Sequence, residues 1–333
     1  MRLLFLLLAG LMAGIPIHAQ DPVFSQYYAA PLQLNPAFAG AGIAPRVGTI
    51  YRHQWPNLNN AYRTYSVYYE QPIDRLHSGI GFQVSGDNAG DGLLKKTNVS
   101  AIYAYNLPVG RDFLIKIGVE AGLQQSTIDW NRLVFPDQLD AVEGNINQSG
   151  ELPPVNPTRT NFDASAGLLL LSEHMWFGAS LKHLNTPNES FLQINNNLND
   201  GLPMRYTFHA GSEIIVKKGN KRKPDAFVSP NLLFTSQGPY QQINAGAYAG
   251  VGALFGGLWY RHTFGNADAA IVMAGVREGI FKFGFSYDLT VSSLSGYSGG
   301  AYEVSLGLLF DQQESARNRK KRTDWSDCLH MFQ

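Results

Sequence analysis

Residues Phe113 to Gln124 read Phe-Leu-Ile-Lys-Ile-Gly-Val-Glu-Ala-Gly-Leu-Gln. One set of alternate positions carries Phe113, Ile115, Ile117, Val119, Ala121 and Leu123. The other carries Leu114, Lys116, Gly118, Glu120, Gly122 and Gln124. A period of two is that of an extended strand, whose successive side chains point to opposite faces. The second face sets glycine beside charge. A lumen of small and charged groups behind an apolar exterior is the pattern of a transmembrane barrel strand.

The same alternation recurs on both sides of this stretch. Phe281, Phe283, Phe285, Tyr287 and Leu289 alternate with Lys282, Gly284, Ser286 and Asp288. Near the end, Tyr302, Val304, Leu306, Leu308 and Phe310 oppose Glu303, Ser305 and Gly307. Strand-like segments fall at 45–54, 62–71, 78–86, 95–107, 112–128, 160–171, 174–185, 204–217, 226–236, 241–254, 257–264, 268–277, 280–290 and 301–310. The expected fold is therefore all-β, a transmembrane antiparallel β-barrel of about 14 strands over residues 45–310, and an even count suits a single-chain bacterial barrel. The connections agree. Every long one (55–61, 87–94, 129–159, 186–203 and 291–300) falls in one parity class, and the short ones (108–111, 172–173, 255–256 and 278–279) fall in the other. Periplasmic turns of such barrels are short and outer loops long, which places both termini in the periplasm and the barrel in the cell outer membrane.

Composition sets the same limits. Aromatic residues make up 12% and charged residues 16% of the 333 residues; soluble domains carry about 25% charged residues. The formal net charge is 0, which gives no electrostatic case for a nucleic-acid partner. Residues 1–19 read as a secretory signal, with Arg2 as the charged start, Leu3 to Ile15 as the apolar run, and cleavage before Gln20. The single cysteine, Cys328, forms no intramolecular disulfide.

No catalytic or cofactor constellation emerges. The glycines at 250, 252 and 256 lack phosphate-loop spacing. His53, His77, His174, His183, His209 and His262 lack metal-ligand spacing, and His53, His209 and His262 read as lumen or strand-end residues. The lumen carboxylates Glu120, Glu213 and Asp288 are expected to face Lys116 and Lys282 in stabilising networks. The chain therefore reads as non-enzymatic, without metal or cofactor. Loops 129–159 and 186–203 are either partner contacts or solvated surface. The run Lys217 to Lys223 reads as a periplasmic turn. Residues 311–333 form a polar tail expected in the periplasm. Its Arg317, Arg319, Lys320, Lys321 and Arg322 are candidates for contact with an acidic partner surface.

Residues 20–44 precede the first strand. Asp21-Pro22 and Asn35-Pro36 are turn-forming pairs that bracket the aromatic residues Phe24, Tyr27 and Tyr28. The segment needs a surface to lie on, and the periplasmic mouth or lumen wall of the barrel supplies one, as a candidate plug. Asp21-Pro22-x-Phe24-Ser25-Gln26-Tyr27, followed by Leu34-Asn35-Pro36-Ala37-Phe38-Ala39-Gly40, resembles the N-terminal signature of the PorP/SprF family of Bacteroidetes outer-membrane proteins. One departure is the finish, where Cys328 is followed by Leu329 rather than Pro. The resemblance implies a role in type IX secretion and gliding motility. Its implied partners are secretion components, an adhesin-like secreted surface protein, outer-membrane lipids and a periplasmic peptidoglycan-associated lipoprotein. The residues alone leave a second reading open, an outer-membrane channel for small solutes.

Overall fold

The computed structural model describes residues 21–58, 62–110, 112–140, 144–145, 148–191, 201–217, 226–264, 266–291, 296–310, 329 and 331–332. The signal segment 1–19, the basic run Arg317 to Arg322, Lys218 to Lys223 and Cys328 lie outside the described residues.

Among the described residues the strands are β1 (Arg46–Gln54), β2 (Tyr62–Ile73), β3 (Ser78–Ala89), β4 (Leu94–Val109), β5 (Phe113–Ile128), β6 (Thr158–Leu171), β7 (Met175–Lys182), β8 (Arg205–Ser212 continuing as Ile214–Lys217), β9 (Ala226–Gln237), β10 (Tyr240–Val251), β11 (Leu254–Thr263), β12 (Asn266–Glu278), β13 (Phe281–Thr290) and β14 (Ala301–Leu309). The main sheet contains 15 segments, of which the two pieces of β8 both pair with β9, leaving 14 strands. All pairs are antiparallel between sequence neighbours, and β14 returns to β1 with Arg46 opposite Leu309 and Gln54 opposite Ala301. The sheet thus closes without a free edge, which a chain crossing hydrocarbon requires because unpaired backbone groups find no water there. A separate two-stranded piece, Leu139–Asp140 with Gly144–Asn145, lies in the longest connection.

The faces separate as the alternation predicts. In β5, Ile117, Val119 and Leu123 are exposed on the outside, whereas Lys116, Glu120 and Gln124 are buried inside. In β13, Phe281, Phe283 and Phe285 face out, and Ser286 and Asp288 face in. Turn positions shift slightly: the β10–β11 turn lies at 252–253, with Gly252 at φ 64°, and not at 255–256. Gly252 and Gly279 supply the left-handed backbone that tight turns need, and this sets where the strands stop.

Residues 21–44 run inside the barrel. Two short 3₁₀ turns, Tyr27–Ala29 and Pro36–Phe38, flank a single helical turn, Pro31–Leu34. Proline opens the second and third of these, where its missing N–H costs no bond. Gln26, Leu32, Asn35, Ala37, Phe38 and Ala39 have no measurable exposure. The segment approaches the wall closely at β5 and β6. A Cβ on Gly118 would lie 2.3 Å from the backbone nitrogen of Ala37, and one on Gly167 1.9 Å from Asn35 Oδ1. Hence the inward glycines of β5 and β6 are seats for the segment.

The inside–outside assignment makes a direct prediction. Val119→Lys places a charge on the lipid face of β5 and is expected to cost about 2–4 kcal/mol if it lies near the bilayer midplane. Equilibrium unfolding in lipid vesicles measures this; an unchanged transition would mean that the face does not contact lipid.

Candidate functional site

The internal segment and the lumen wall form one polar assembly, strongest around Ser25 and Gln26. Glu303 on β14 accepts hydrogen bonds from two successive backbone N–H groups, Ser25 N at 2.7 Å and Gln26 N at 2.8 Å. Ser25 Oγ donates to Asp288 Oδ2 at 2.7 Å and accepts from Arg52 Nη1 at 2.8 Å and Arg261 Nη2 at 2.6 Å. Arg52 bridges Asp288 at 3.0 Å and Glu303 at 2.5 Å, and Arg261 reaches Asp288 at 2.8 Å. Two cations and two anions thus surround one serine, and all four are buried. Buried charge is tolerated when paired and hydrogen-bonded, and here the N-terminal segment supplies part of the bonding. Gln26 extends the contact, donating to Ser286 Oγ and Glu303 O at 3.0 Å each and accepting from Ser305 Oγ at 2.7 Å.

A second anchor is Asn35. Its Oδ1 accepts from Ala37 N at 2.9 Å, capping the turn that Pro36 begins. Its Nδ2 donates to the strand carbonyls of Leu168 at 3.0 Å and Ala179 at 3.2 Å, and lies 3.0 Å from His209 Nε2. The backbone of the segment is held as well: Ser180 Oγ donates to Leu34 O, Arg205 Nη2 to Gln33 O and Lys116 Nζ to Ala39 O.

The third anchor is Asp21, among residues at the long-loop end of the barrel. Its carboxylate meets His183 Nε2 at 2.6 Å, Gln237 Nε2 at 3.3 Å and Arg205 Nη1 at 3.4 Å, and its N–H donates to Gln237 Oε1. His183, just past the end of β7, also contacts Asp163 at 3.0 Å. Burial works against its charge, but the Asp21 carboxylate and the hydrogen bonds to Asp163 and Asp21 outweigh it and push the imidazole up to about 9. Beside this anchor, Glu189 from the long connection 183–204 reaches down to Lys96 Nζ at 2.7 Å and to Gln124. The hollow left between them measures about 60 Å³, room for a few water molecules at most.

Aromatic packing fills the half nearer the short turns. Tyr27 meets Trp259 edge-on at 4.9 Å, Tyr28 meets Tyr248 at 5.5 Å, and Phe38 stacks on His209 at 5.5 Å. Phe24 packs with Ala30 and Ile50. Gly40 sits at φ 60°, where a Cβ would crowd Gly79 and the backbone of Gln71 and Pro72.

The structure brings Phe24, Ser25, Gln26, Tyr27, Leu34, Asn35, Ala37, Phe38 and Ala39 of the signature into buried contact with the wall or with one another, with Pro36 buried beside them and Asp21 half-buried on the wall. Pro22 is half-buried, its carbonyl accepting from Gln33. Three pairings differ from expectation. Glu120 pairs with Lys182 at 3.1 Å, Asp288 with the two arginines, and Lys116 with Asn106 Oδ1 and a backbone carbonyl. Charges on one strand face do not meet their sequence neighbours, because the lumen brings distant strands and the inner segment together. The polar tail also differs: its Leu329, Met331 and Phe332 are buried inside the barrel at 1%, 3% and 4% exposure. Those three apolar residues were the available signal. Arg52, Arg261 and Glu303 were legible only as inward positions.

The fold and this interior define a class, a membrane β-barrel whose lumen is occupied by its own N-terminal segment. A family model described as "Type IX secretion system membrane protein PorP/SprF" matches residues 17–308, so the chain belongs to that family. A barrel of a secretion-system family resides in the outer membrane. No curated protein sequence matches the chain. Among solved structures it is similar to the Ralstonia pickettii toluene transporter TbuX, at 11% identity and TM-score 0.47, over 85% of this chain and 94% of that one. A triple mutant of Rh. blastica porin matches at 7% identity and TM-score 0.33, over 80% and 99%.

Two outcomes test the anchors. Arg52→Met leaves Asp288 and Glu303 undercompensated and is expected to destabilise the folded barrel by about 3–5 kcal/mol in urea unfolding; no change would remove the cluster from its role. Because the His183 pKa is raised, its contribution is complete below the ordinary imidazole value and fades as pH rises through about 9. Protection of the Asp21 amide against hydrogen exchange, corrected for intrinsic rate, should fall between pH 7 and 10 in the native chain and lose that step in His183→Gln.

Proposed function

We propose that the chain is a non-enzymatic outer-membrane scaffold of type IX secretion that holds a secreted surface protein, such as an adhesin, and couples it to periplasmic machinery. The carrying observation is the filled lumen. Residues 21–44 occupy the barrel interior through buried charged hydrogen bonds, an arrangement suited to a rigid platform and poorly suited to solute flow. In this reading the short turns face the periplasm. The long connections 129–157 and 183–204, the second tied to the wall through Glu189, present the cargo surface. The basic run Arg317 to Arg322 is the proposed contact for a periplasmic peptidoglycan-associated lipoprotein. The strand end at Leu309 lies with the short turns on the periplasmic side, whereas Asp21 sits at the long-loop end of the lumen. Family membership supports attachment to the secretion system; the cargo and the lipoprotein are the finer parts of the proposal.

Affinity capture of the full chain from native outer membrane tests it. Co-purification of a surface adhesin or of type IX components is expected. Recovery of the barrel alone, together with normal secretion and surface display after deletion of its gene, would contradict it.

A further inference from the structure

The lumen holds a second piece of the chain. Phe332 stacks face to face on Phe38, with centroids 4.7 Å apart and planes 16° from parallel, and meets Trp176 edge-on at 5.3 Å. Tyr27 lies 6.5 Å away on a third side. Leu329 and Met331 join the same apolar cluster, and Phe332 N donates to Leu329 O at 2.8 Å, so the piece is bent into a turn. Lys282 donates to the carbonyl of Met331 while its ammonium sits 4.8 Å from the Tyr28 ring and 5.3 Å from that of Phe255.

This piece lies in the short-turn half of the lumen. Phe310 closes β14 there, its N–H donating to Pro45 O. The socket residues Phe38, Trp176 and Tyr28 cluster in that half of the barrel with the starts of β7 and β13 and the β10–β11 turn. Among the described residues the piece forms no strand with the wall, and its fixed points are ring contacts, one turn and one lysine–carbonyl bond. Residues 21–44, in contrast, are held by buried carboxylates and guanidinium groups. Among the described residues the two occupants of the lumen are held by different chemistry, ionic hydrogen bonds for the one and ring contacts for the other. A contact made of aromatic stacking and one carbonyl bond is of the kind by which a groove reads a short peptide: pockets for alternate side chains and a polar group on the main chain.

We propose that the short-turn mouth is a peptide-binding socket specific for an apolar-x-Met-aromatic sequence, and that the chain's own Leu329–Phe332 is its resident, exchangeable ligand. Phe38 and Trp176 read the aromatic ring, and Lys282 reads the main-chain carbonyl before it. The tether gives the resident ligand a high effective concentration, so an outside peptide competes only when the resident is displaced or altered. The socket stands on contacts separate from the secretion role and is testable without it.

The test uses the refolded chain in detergent micelles and a fluorescently labelled synthetic peptide of the sequence Leu-His-Met-Phe-Gln, with binding read by anisotropy. Two altered chains are compared with the native one: a deletion of residues 329–333 and the full-length substitution Phe332→Ser. Heat-dependent gel mobility reports which of them are folded. Saturable binding is expected to the deletion chain and to Phe332→Ser, with the native chain weaker by roughly a hundredfold owing to the tethered competitor. Adding Phe38→Ala to Phe332→Ser is expected to lower affinity at least about tenfold, the scale set by loss of an aromatic pair. The same peptide with its Phe replaced by Ser should not bind. Equal binding by the native and Phe332→Ser chains would overturn the socket, and so would absence of saturable binding by folded Phe332→Ser. If the deletion chain does not fold, Phe332→Ser alone decides.

Discussion

A carboxylate that accepts two successive backbone N–H groups holds the interior together. Glu303 does this for Ser25 and Gln26, Arg52 adds bonds to Glu303 Oε1 and Asp288 Oδ2, and Arg261 adds one to Asp288 Oδ2. Each of these groups is buried, and none would be tolerated there without the others. The barrel wall supplies two cations and two anions that pair directly, and the hydroxyl of Ser25 adds three hydrogen bonds among them. The segment is therefore bonded into the barrel wall as part of one buried polar cluster. A fourteen-strand barrel has room in its lumen, and here that room is filled by chain.

From this constraint the remaining features follow in order of distance. Below the charged cluster, Tyr27, Tyr28 and Phe38 replace polar lining with aromatic packing against Tyr248, Trp259 and Trp176. Glycines on β5 and β6 let the backbone at Asn35 to Ala37 lie against the wall, where a methyl group would collide. Above the cluster, Asp21, His183 and Arg205 close the ionic accounting, and Glu189 ties a long connection to the inner wall through Lys96. That long connection thus rests on a filled interior, which suits a platform more than a conduit.

Much of this was legible in the residues. Period-two alternation located the strands and their inward faces, because a strand cannot turn one side chain without turning its whole face. Gly beside charge in Phe113 to Gln124 distinguished a lumen from a soluble core. Asn35-Pro36 announced a turn, and the structure has one, which the Asn35 side chain also caps. Ionic partners were not legible: Arg52 meets Asp288 across 236 positions, and sequence carries no register for contacts made across a lumen. The depth reached by Asp21 was equally hidden, since a short segment of turns has no periodicity to orient it. The tail misled for a different reason. The polarity of 311–328 dominates its average, while Leu329, Met331 and Phe332 are three apolar residues in the last five and pack with the signature residue Phe38.

The central claim is that the N-terminal segment closes the lumen. Planar-bilayer conductance of the purified full chain, with a chain lacking residues 21–40 as the open reference, measures it directly. The account predicts little steady current through the full chain and a stable, larger conductance when the segment is absent. Large steady conductance through the full chain, equal to that of the deleted one, would contradict it.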